Sequence, residues 1–259
     1  MISPLAYVDK EARIGANVTI HPFAYIDKNV EIGDNCTIMP YASILSGTRM
    51  GTDNIIYQGA IIGATPQDFK FKGEDTLLKI GNHNTIREKV ILNRGTNTTD
   101  CTIIGDGNFL LEGVHLAHDT HLGSHCVLGN GAKTAGNCII DDKAILGSEV
   151  IVKHGCRIGS WALLRDGCRA NKDVPPYIVA AHNPIRYYGI NALILAKEGH
   201  LTENVIDNIA KCYRQIYQCG TSLENALRRI KDIIPLSPEI TYLVDFIEQS
   251  KKGIIGTTM

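Results

Sequence analysis

The sequence predicts a mainly β protein, a parallel β-helix of hexapeptide repeats followed by a C-terminal α-helical domain. Three observations carry this. An aliphatic residue returns every six positions: Ile2, Val8, Ile14, Ile20, Ile26, Ile32, Ile38, Ile44, Met50, Ile56 and Ile62, then Ile80, Ile86, Leu92, Ile104, Leu110, Leu116, Leu122, Leu128, Ile140, Leu146, Val152, Ile158 and Leu164. A small residue follows four positions after most of them, as at Ala24, Val30, Cys36, Ala42, Ala132, Cys138, Ala144 and Ala162. Beyond Tyr188 the apolar period changes toward 3.6. A period of six fits neither one helix face nor a plain alternating strand. It fits short strands joined at tight corners, each coil covering its neighbour around a continuous apolar column.

In chain order, residues 1–63 are unbroken repeat. Gly, Asn and Asp supply corners that need unusual backbone angles. Residues 64–79 break the phase at Asp68 and predict a loop thrown out from the prism. The repeat resumes over 80–170, with the aliphatic lapsing only at Thr98 and Thr134. Gly95–Asp100 predicts a bulge at one corner. Asp173-Val174-Pro175-Pro176-Tyr177 is expected to end the solenoid, since Pro cannot donate to the ladder. Residues 1–187 thus form the prism domain and 188–259 the helical one. Thr202 is the expected N-cap of a helix with Ile206, Ile209, Tyr213 and Ile216 on its apolar stripe. Thr221 or Ser222 caps the next helix. Pro235 separates it from a last one carrying Ile240, Leu243, Val244 and Ile247.

The chain has 259 residues, 44% of them hydrophobic, enough for a large core. A net charge of −1 argues neither for nucleic acid nor for an anionic membrane as partner, and neither is expected. No apolar run approaches the roughly 20 residues of a membrane span, and the first residues enter the repeat without a basic or apolar leader pattern, so no secretory leader is expected. A soluble, cytoplasmic protein is expected. Of eight Cys, five (Cys36, Cys126, Cys138, Cys156, Cys168) occupy the small inward position, where Cys behaves as a small hydrophobe. Cys212 and Cys219 fall in a helical stretch, and packing is expected for them too.

Three hexads make one triangular coil, so residues 18 apart stack. His118, Gly136 and His154 then line one edge, beside His115 and Asp119. A His with an adjacent carboxylate suits a general base, because the carboxylate orients the ring and stabilises imidazolium. A Gly one coil away can offer an unhindered N–H to an oxyanion. Corner His residues such as His21, His83, His121 and His125 read as surface positions. The His115-x-x-His118-x-x-His121 spacing would gather a metal on a helix. On a prism His115 and His121 diverge by one face, so no metal is assigned, although a site shared between subunits could still collect imidazoles.

These features resemble the hexapeptide acyltransferases, and among them the UDP-N-acetylglucosamine O-acyltransferases that begin lipid A synthesis. The likeness runs over essentially the whole chain. It rests on the repeat, Pro66-Gln67-Asp68-Phe69-Lys70, Ile86-Arg87-Glu88, Asn93-Arg94-Gly95-Thr96, His115-Leu116-Ala117-His118-Asp119, the Pro175-Pro176 segment, Gly189-Ile190-Asn191 and the helical tail. The resemblance implies a left-handed prism that assembles as a homotrimer with active sites between subunits. It implies transfer of an (R)-3-hydroxyacyl group from acyl carrier protein to the 3-hydroxyl of UDP-N-acetylglucosamine, with the carrier-protein thioester as donor and no other cofactor. His118 would be the base, Asp119 its orienting partner, and Gly136 the oxyanion donor. His115 would contact the sugar. Gln67, Asp68 and Lys70 would hold sugar and nucleotide. Asn137 and His154 would line the substrate cleft, and Asn191 and Lys197 would lie near nucleotide or phosphopantetheine.

Several positions depart from the family pattern. Asn137 stands where His is usual, and Lys153-His154 where His-Gln is usual. Leu193 replaces an acidic residue, and Lys197-Glu198 replaces an Arg pair. Arg165 and Asp166 stand where small Gly residues usually border the acyl groove, and a charged pair there would shorten or block a long chain. The alternatives are a sugar-nucleotide acyltransferase or acetyltransferase with a shorter donor, a low-activity paralogue that binds carrier protein or nucleotide, and a hexapeptide metalloenzyme resembling carbonic anhydrase.

Overall fold

The computed structural model describes residues 1–257. Its strands form three sheets that wrap a triangular prism. The first face starts at Tyr7–Val8 and ends at Arg169–Ala170. The second runs from Arg13–Ile14 to Arg157–Ile158, and the third starts at Thr19–Ile20. Partners are parallel and 18 residues apart, as in Tyr7↔Tyr25 and His115↔Lys133. The hexad residues meet inside: Ile20, Ile56, Ile86 and Leu116 are fully buried, with Ala42, Ala132 and Ala162 filling the smaller inward positions.

The two irregularities appear as register jumps. Ile62 pairs with Leu92, and Leu92 with Leu116. The first loop is shorter than its predicted 64–79, because Leu78–Ile80 is already a strand paired to Thr48–Met50. Corner residues take the left-handed backbone region, and not only Gly, Asn and Asp do so. Phe23, Tyr41, Lys143 and Trp161 have φ of 61–64°. At Phe23, Lys143 and Trp161 the strain, about 1–2 kcal/mol per residue, is offset by a ladder bond from the same N–H, as in Lys143 N to Ser124 O at 2.8 Å.

The double proline does not end the prism. Val174 still bridges to Ile158, and Ile178–Ala181 still pairs in parallel with Leu163–Leu164. Pro175 and Pro176 lie at a corner, where no ladder donor is required of them. The sheet ends one strand later, when Arg186–Ile190 turns back antiparallel.

Four helices follow: α1 (Ala192–Lys197), α2 (Glu203–Tyr217), α3 (Leu223–Ile233) and α4 (Pro238–Glu248). Thr202 and Ser222 accept N-cap hydrogen bonds as expected, and Ser237 caps α4. The helices close the last coils. Tyr213 Oη donates to Pro176 O at 2.5 Å. Tyr242 Oη donates to Asp141 Oδ2 at 2.7 Å and accepts from Ser160 N at 2.9 Å. No helix among the described residues is long and apolar enough to cross a membrane. Burial pushes the Cys126, Cys138 and Cys212 thiols up to about 12, consistent with packing. Cys219 departs from that expectation: it follows α2 and is exposed.

Candidate active site

His118 and Asp119 sit at the corner between the first-face strand His115–Leu116 and the second-face strand His121–Leu122. Both are largely buried, at 9% and 6% exposure. Asp119 has φ +56°, a conformation that Asp tolerates better than most residues. His118 Nδ1–H donates to Asp119 Oδ2 at 2.8 Å, because a carboxylate oxygen can only accept. The lone pair therefore lies on Nε2. Asp68 Oδ2 stands 3.8 Å from Nε2, too far for a hydrogen bond. A substrate hydroxyl brought to Nε2 would thus have a second carboxylate nearby.

Asp119 is held from elsewhere in the chain. Thr96 donates to it twice, from N–H to Oδ1 at 2.9 Å and from Oγ1 to Oδ2 at 2.7 Å. Thr102 Oγ1 accepts the Asp119 N–H at 2.9 Å. Burial by itself pushes the Asp119 carboxyl up. The Thr96 hydroxyl, His118 and the Thr96 N–H together outweigh it and hold the group below its ordinary 3.8. A folded-state pKa below the unfolded one means that the unfolded chain binds more protons through the titration. The contribution to stability is complete above the unfolded value and is lost as pH falls through the folded one. Asp119→Asn is therefore expected to cost stability at neutral pH, by a margin that narrows as pH falls from about 5 to below the ordinary 3.8. Denaturant melts of both proteins across that range check this, and a pH-independent margin would contradict it.

Gly136 lies under the His118 ring. A Cβ there would fall 2.4 Å from Cε1 and 2.6 Å from Nε2. Its N–H has no acceptor among the described residues. Asn137 N donates to His118 O at 3.0 Å and Gly155 N to Gly136 O at 3.1 Å, so the expected column of His118, Gly136 and His154 is real. Asn137 and His154 are both exposed on it.

His115 is half-buried one strand earlier, with Nε2 2.7 Å from Asn93 Oδ1. Burial first, and the charge of Lys133 second, push its pKa down. His121 turns instead toward Asp100, 3.3 Å away on the second face, so the three imidazoles of the motif go to three separate partners.

The loop is tied to this corner by the segment after Ile91. Arg94 N donates to Ala64 O, and Arg94 Nε to Thr76 Oγ1 at 3.1 Å. Gly95 N donates to Leu77 O. Within the loop, Lys70 N donates to Asp68 Oδ1 at 2.8 Å, a local turn that leaves Oδ2 toward His118. Gln67 and Lys70 are exposed at its tip, beside a fully exposed Phe69.

Asn191 and Lys197 are not brought to His118 within one chain. Asn191 precedes α1, and its Nδ2 donates to Trp161 O at 3.1 Å. Trp161 lies between Arg157–Ile158 and Leu163–Leu164, at the corner of the second and third faces. Lys197 is exposed in the last turn of α1. Glu198 lies in a cavity of about 340 Å³ with His125, Lys143, Trp161 and Ile194. Arg165 and Asp166 occupy the remaining corner, between the third face and the first. Asp166 Oδ1 accepts Ser148 N at 2.8 Å, and the Arg165 guanidinium lies 4.3 Å from the Tyr188 ring centroid.

Sequence reasoning gave no individual role to Asn93, Thr96 or Thr102. The first two stand in a segment that the resemblance did single out. A further signal lay in Thr134, the lapse in an otherwise aliphatic phase: it is buried, and its Oγ1 accepts Ala117 N at 3.2 Å under the His118 corner.

A hexapeptide prism carrying a buried His–Asp pair over a glycine defines a class, the hexapeptide transferases. A bacterial transferase hexapeptide pattern matches residues 11–40, 29–64 and 101–136. A second pattern, Udp N-acetylglucosamine O-acyltransferase domain 2, matches residues 173–255. A Halorhodospira halophila protein named acyl-[acyl-carrier-protein]–UDP-N-acetylglucosamine O-acyltransferase is 44% identical over 98% of both chains. One of the same name from Thermodesulfovibrio yellowstonii is 39% identical, over 98% of this chain and 96% of its own. The crystal structure of a Bacteroides fragilis UDP-N-acetylglucosamine acyltransferase superposes with a TM-score of 0.96 at 51% identity, covering 98% of this chain and all of that one. The Francisella novicida enzyme gives 0.95 at 34% identity, over 99% of this chain and 94% of its own. The chain belongs to the acyl-[acyl-carrier-protein]–UDP-N-acetylglucosamine O-acyltransferase family. Its fold is accordingly the left-handed parallel β-helix with C-terminal helices.

Proposed function

We propose that this protein transfers an acyl group, an (R)-3-hydroxyacyl group by the resemblance, from acyl carrier protein to the 3-hydroxyl of UDP-N-acetylglucosamine, the first step of lipid A biosynthesis. The observation that carries the reading is the His118–Asp119 pair, with the Nε2 lone pair beside Asp68 and the ring lying over Gly136. Nε2 takes the proton of the 3-hydroxyl as its oxygen attacks the thioester carbonyl carbon. The tetrahedral oxyanion is held by the Gly136 N–H. Collapse breaks the carbon–sulfur bond, and the departing thiolate takes the proton back from the imidazolium. Asp119 stays ionised and stabilises that cation. His115 and Asp68 hold sugar hydroxyls. Gln67 and Lys70 on the loop, with Asn137 and His154 on the column, border the bound nucleotide sugar and donor.

The same reading requires a homotrimer with sites shared between subunits. It is supported by the separation of Asn191 and Lys197 from His118 onto different parts of one chain, so that a neighbour must supply them. A shorter acyl donor is the second reading, favoured by the charged pair Arg165 and Asp166, whose side chains lie against Tyr188 and Ser148.

The test is mass spectrometry of products after incubation with UDP-N-acetylglucosamine and a ladder of hydroxyacyl carrier proteins, with light scattering for the assembly. Acylated nucleotide sugar from a particle of three chains is the expected result. Product from short donors alone selects the second reading, and no product from any donor overturns both.

A further inference from the structure

Asn93 ends the strand Ile91–Asn93 and is 1% exposed. Its Nδ2 donates to Thr65 O at 2.8 Å and lies 3.4 Å from Ala64 O. Both neighbours are carbonyls, so the amide has only one satisfied orientation. Oδ1 therefore faces His115, 2.7 Å from Nε2. An amide oxygen only accepts, so Nε2 carries the hydrogen. Burial, then Lys133, disfavours a second proton on this ring, which leaves Nδ1 with a lone pair. Nδ1 has no partner among the described residues. Three residues later His118 is the mirror case: Nδ1 carries the hydrogen, toward Asp119, and Nε2 is bare. Two neighbouring imidazoles are thus held in opposite tautomers by different partners.

We infer that Asn93 is a positioning residue that locks His115 as its Nε2–H tautomer, so that Nδ1 accepts a hydrogen bond from a hydroxyl of the bound nucleotide sugar. This rests on the acyltransferase reading for the identity of the ligand. The locking itself follows from Asn93 and the loop roots. It makes His115 selective: a hydroxyl beside the attacked one is accepted there, whereas an ether or carbonyl oxygen meets a lone pair. The same amide joins Ala64 and Thr65 to the imidazole, so the loop bearing Asp68 and the ring of His115 are set by one side chain.

The experiment pairs histidine side-chain ¹⁵N spectra of the assembled protein with steady-state kinetics. His115→Ala assigns the His115 signals. The unsubstituted protein is expected to show a neutral Nε2–H ring at His115. Asn93→Ala is expected to give a mixture of tautomers. It should raise KM for UDP-N-acetylglucosamine by up to about tenfold, the size of one hydrogen bond, with kcat changed much less. The rise should vanish in the His115→Ala background. Asn93→Asp supplies a different readout. A carboxylate beside Nε2 favours imidazolium and raises the His115 pKa, so Nδ1 becomes a donor as pH falls. The ¹⁵N spectra should then show imidazolium at His115 at acid pH and the neutral ring again as pH rises, a dependence that loosened packing would not create. An Nδ1–H ring in the unsubstituted protein overturns the inference. So does an unchanged KM in Asn93→Ala, or an equal rise without His115. A protein with the expected tautomer that acylates nothing overturns the functional reading, and with it the sugar half of this inference.

Discussion

His118→Ala lowers turnover by about a thousandfold, within the range for loss of a positioned base, and leaves assembly and thermal unfolding close to those of the unsubstituted protein. The activity half follows from the bare Nε2: among the described residues, no other imidazole nitrogen stands beside both Asp68 and Gly136. The stability half follows from what remains. Asp119 loses one partner but keeps the hydroxyl and N–H of Thr96, and its own N–H keeps Thr102, so no buried carboxylate is orphaned. The column of aliphatic residues behind the corner is untouched. The check is single-turnover acyl transfer beside a circular dichroism melt. Turnover within a few-fold of normal would remove His118 as the base. A collapsed melt would mean that the pair serves the fold.

Gly136→Ala is the second large effect, about a hundredfold in turnover, the lower end of what loss of an oxyanion donor costs. The cause is steric and not conformational. Gly136 does not occupy the left-handed region that its neighbour Asn137 does. Its new Cβ would instead sit 2.4 Å from His118 Cε1, well inside contact distance. The ring must swing away, and the Nε2 direction and the unpaired N–H are lost together. Gly113→Ala is the matched control. Gly113 has φ +71° with nothing nearer than 3.9 Å to a Cβ, so it should cost about 1 kcal/mol of stability and spare the chemistry. Equal loss of turnover in both variants would mean that glycine at these corners serves the backbone alone.

Much of this corner could be read from the chain before any coordinates. The six-residue period requires each coil to sit over the last, and that stacking puts His118, Gly136 and His154 on one edge. The adjacency of Asp119 required only the next residue number. The partners of Asp119 could not be read that way. Thr96 lies 23 residues back in a segment that breaks the period, and a segment without period has no assigned face. Asp68 is the same case. Its approach to His118 depends on Arg94 and Gly95 pinning the loop roots through Thr76 and Leu77. Pro175-Pro176 misled for a related reason: prolines stop a ladder only where a donor is needed, and at a corner none is.

The sequence by itself thus determined the prism, its three faces and the edge that carries the base, because burial of one aliphatic per hexad leaves the chain a single repeating solution. Tertiary structure alone decided how that edge becomes a site. Hydrogen bonds from the irregular segments chose the tautomer of His115, lowered Asp119 and aimed Asp68. They also left Asn191 and Lys197 away from the His118 corner. Such bonds depend on where loops close in space, which no local pattern of side chains encodes.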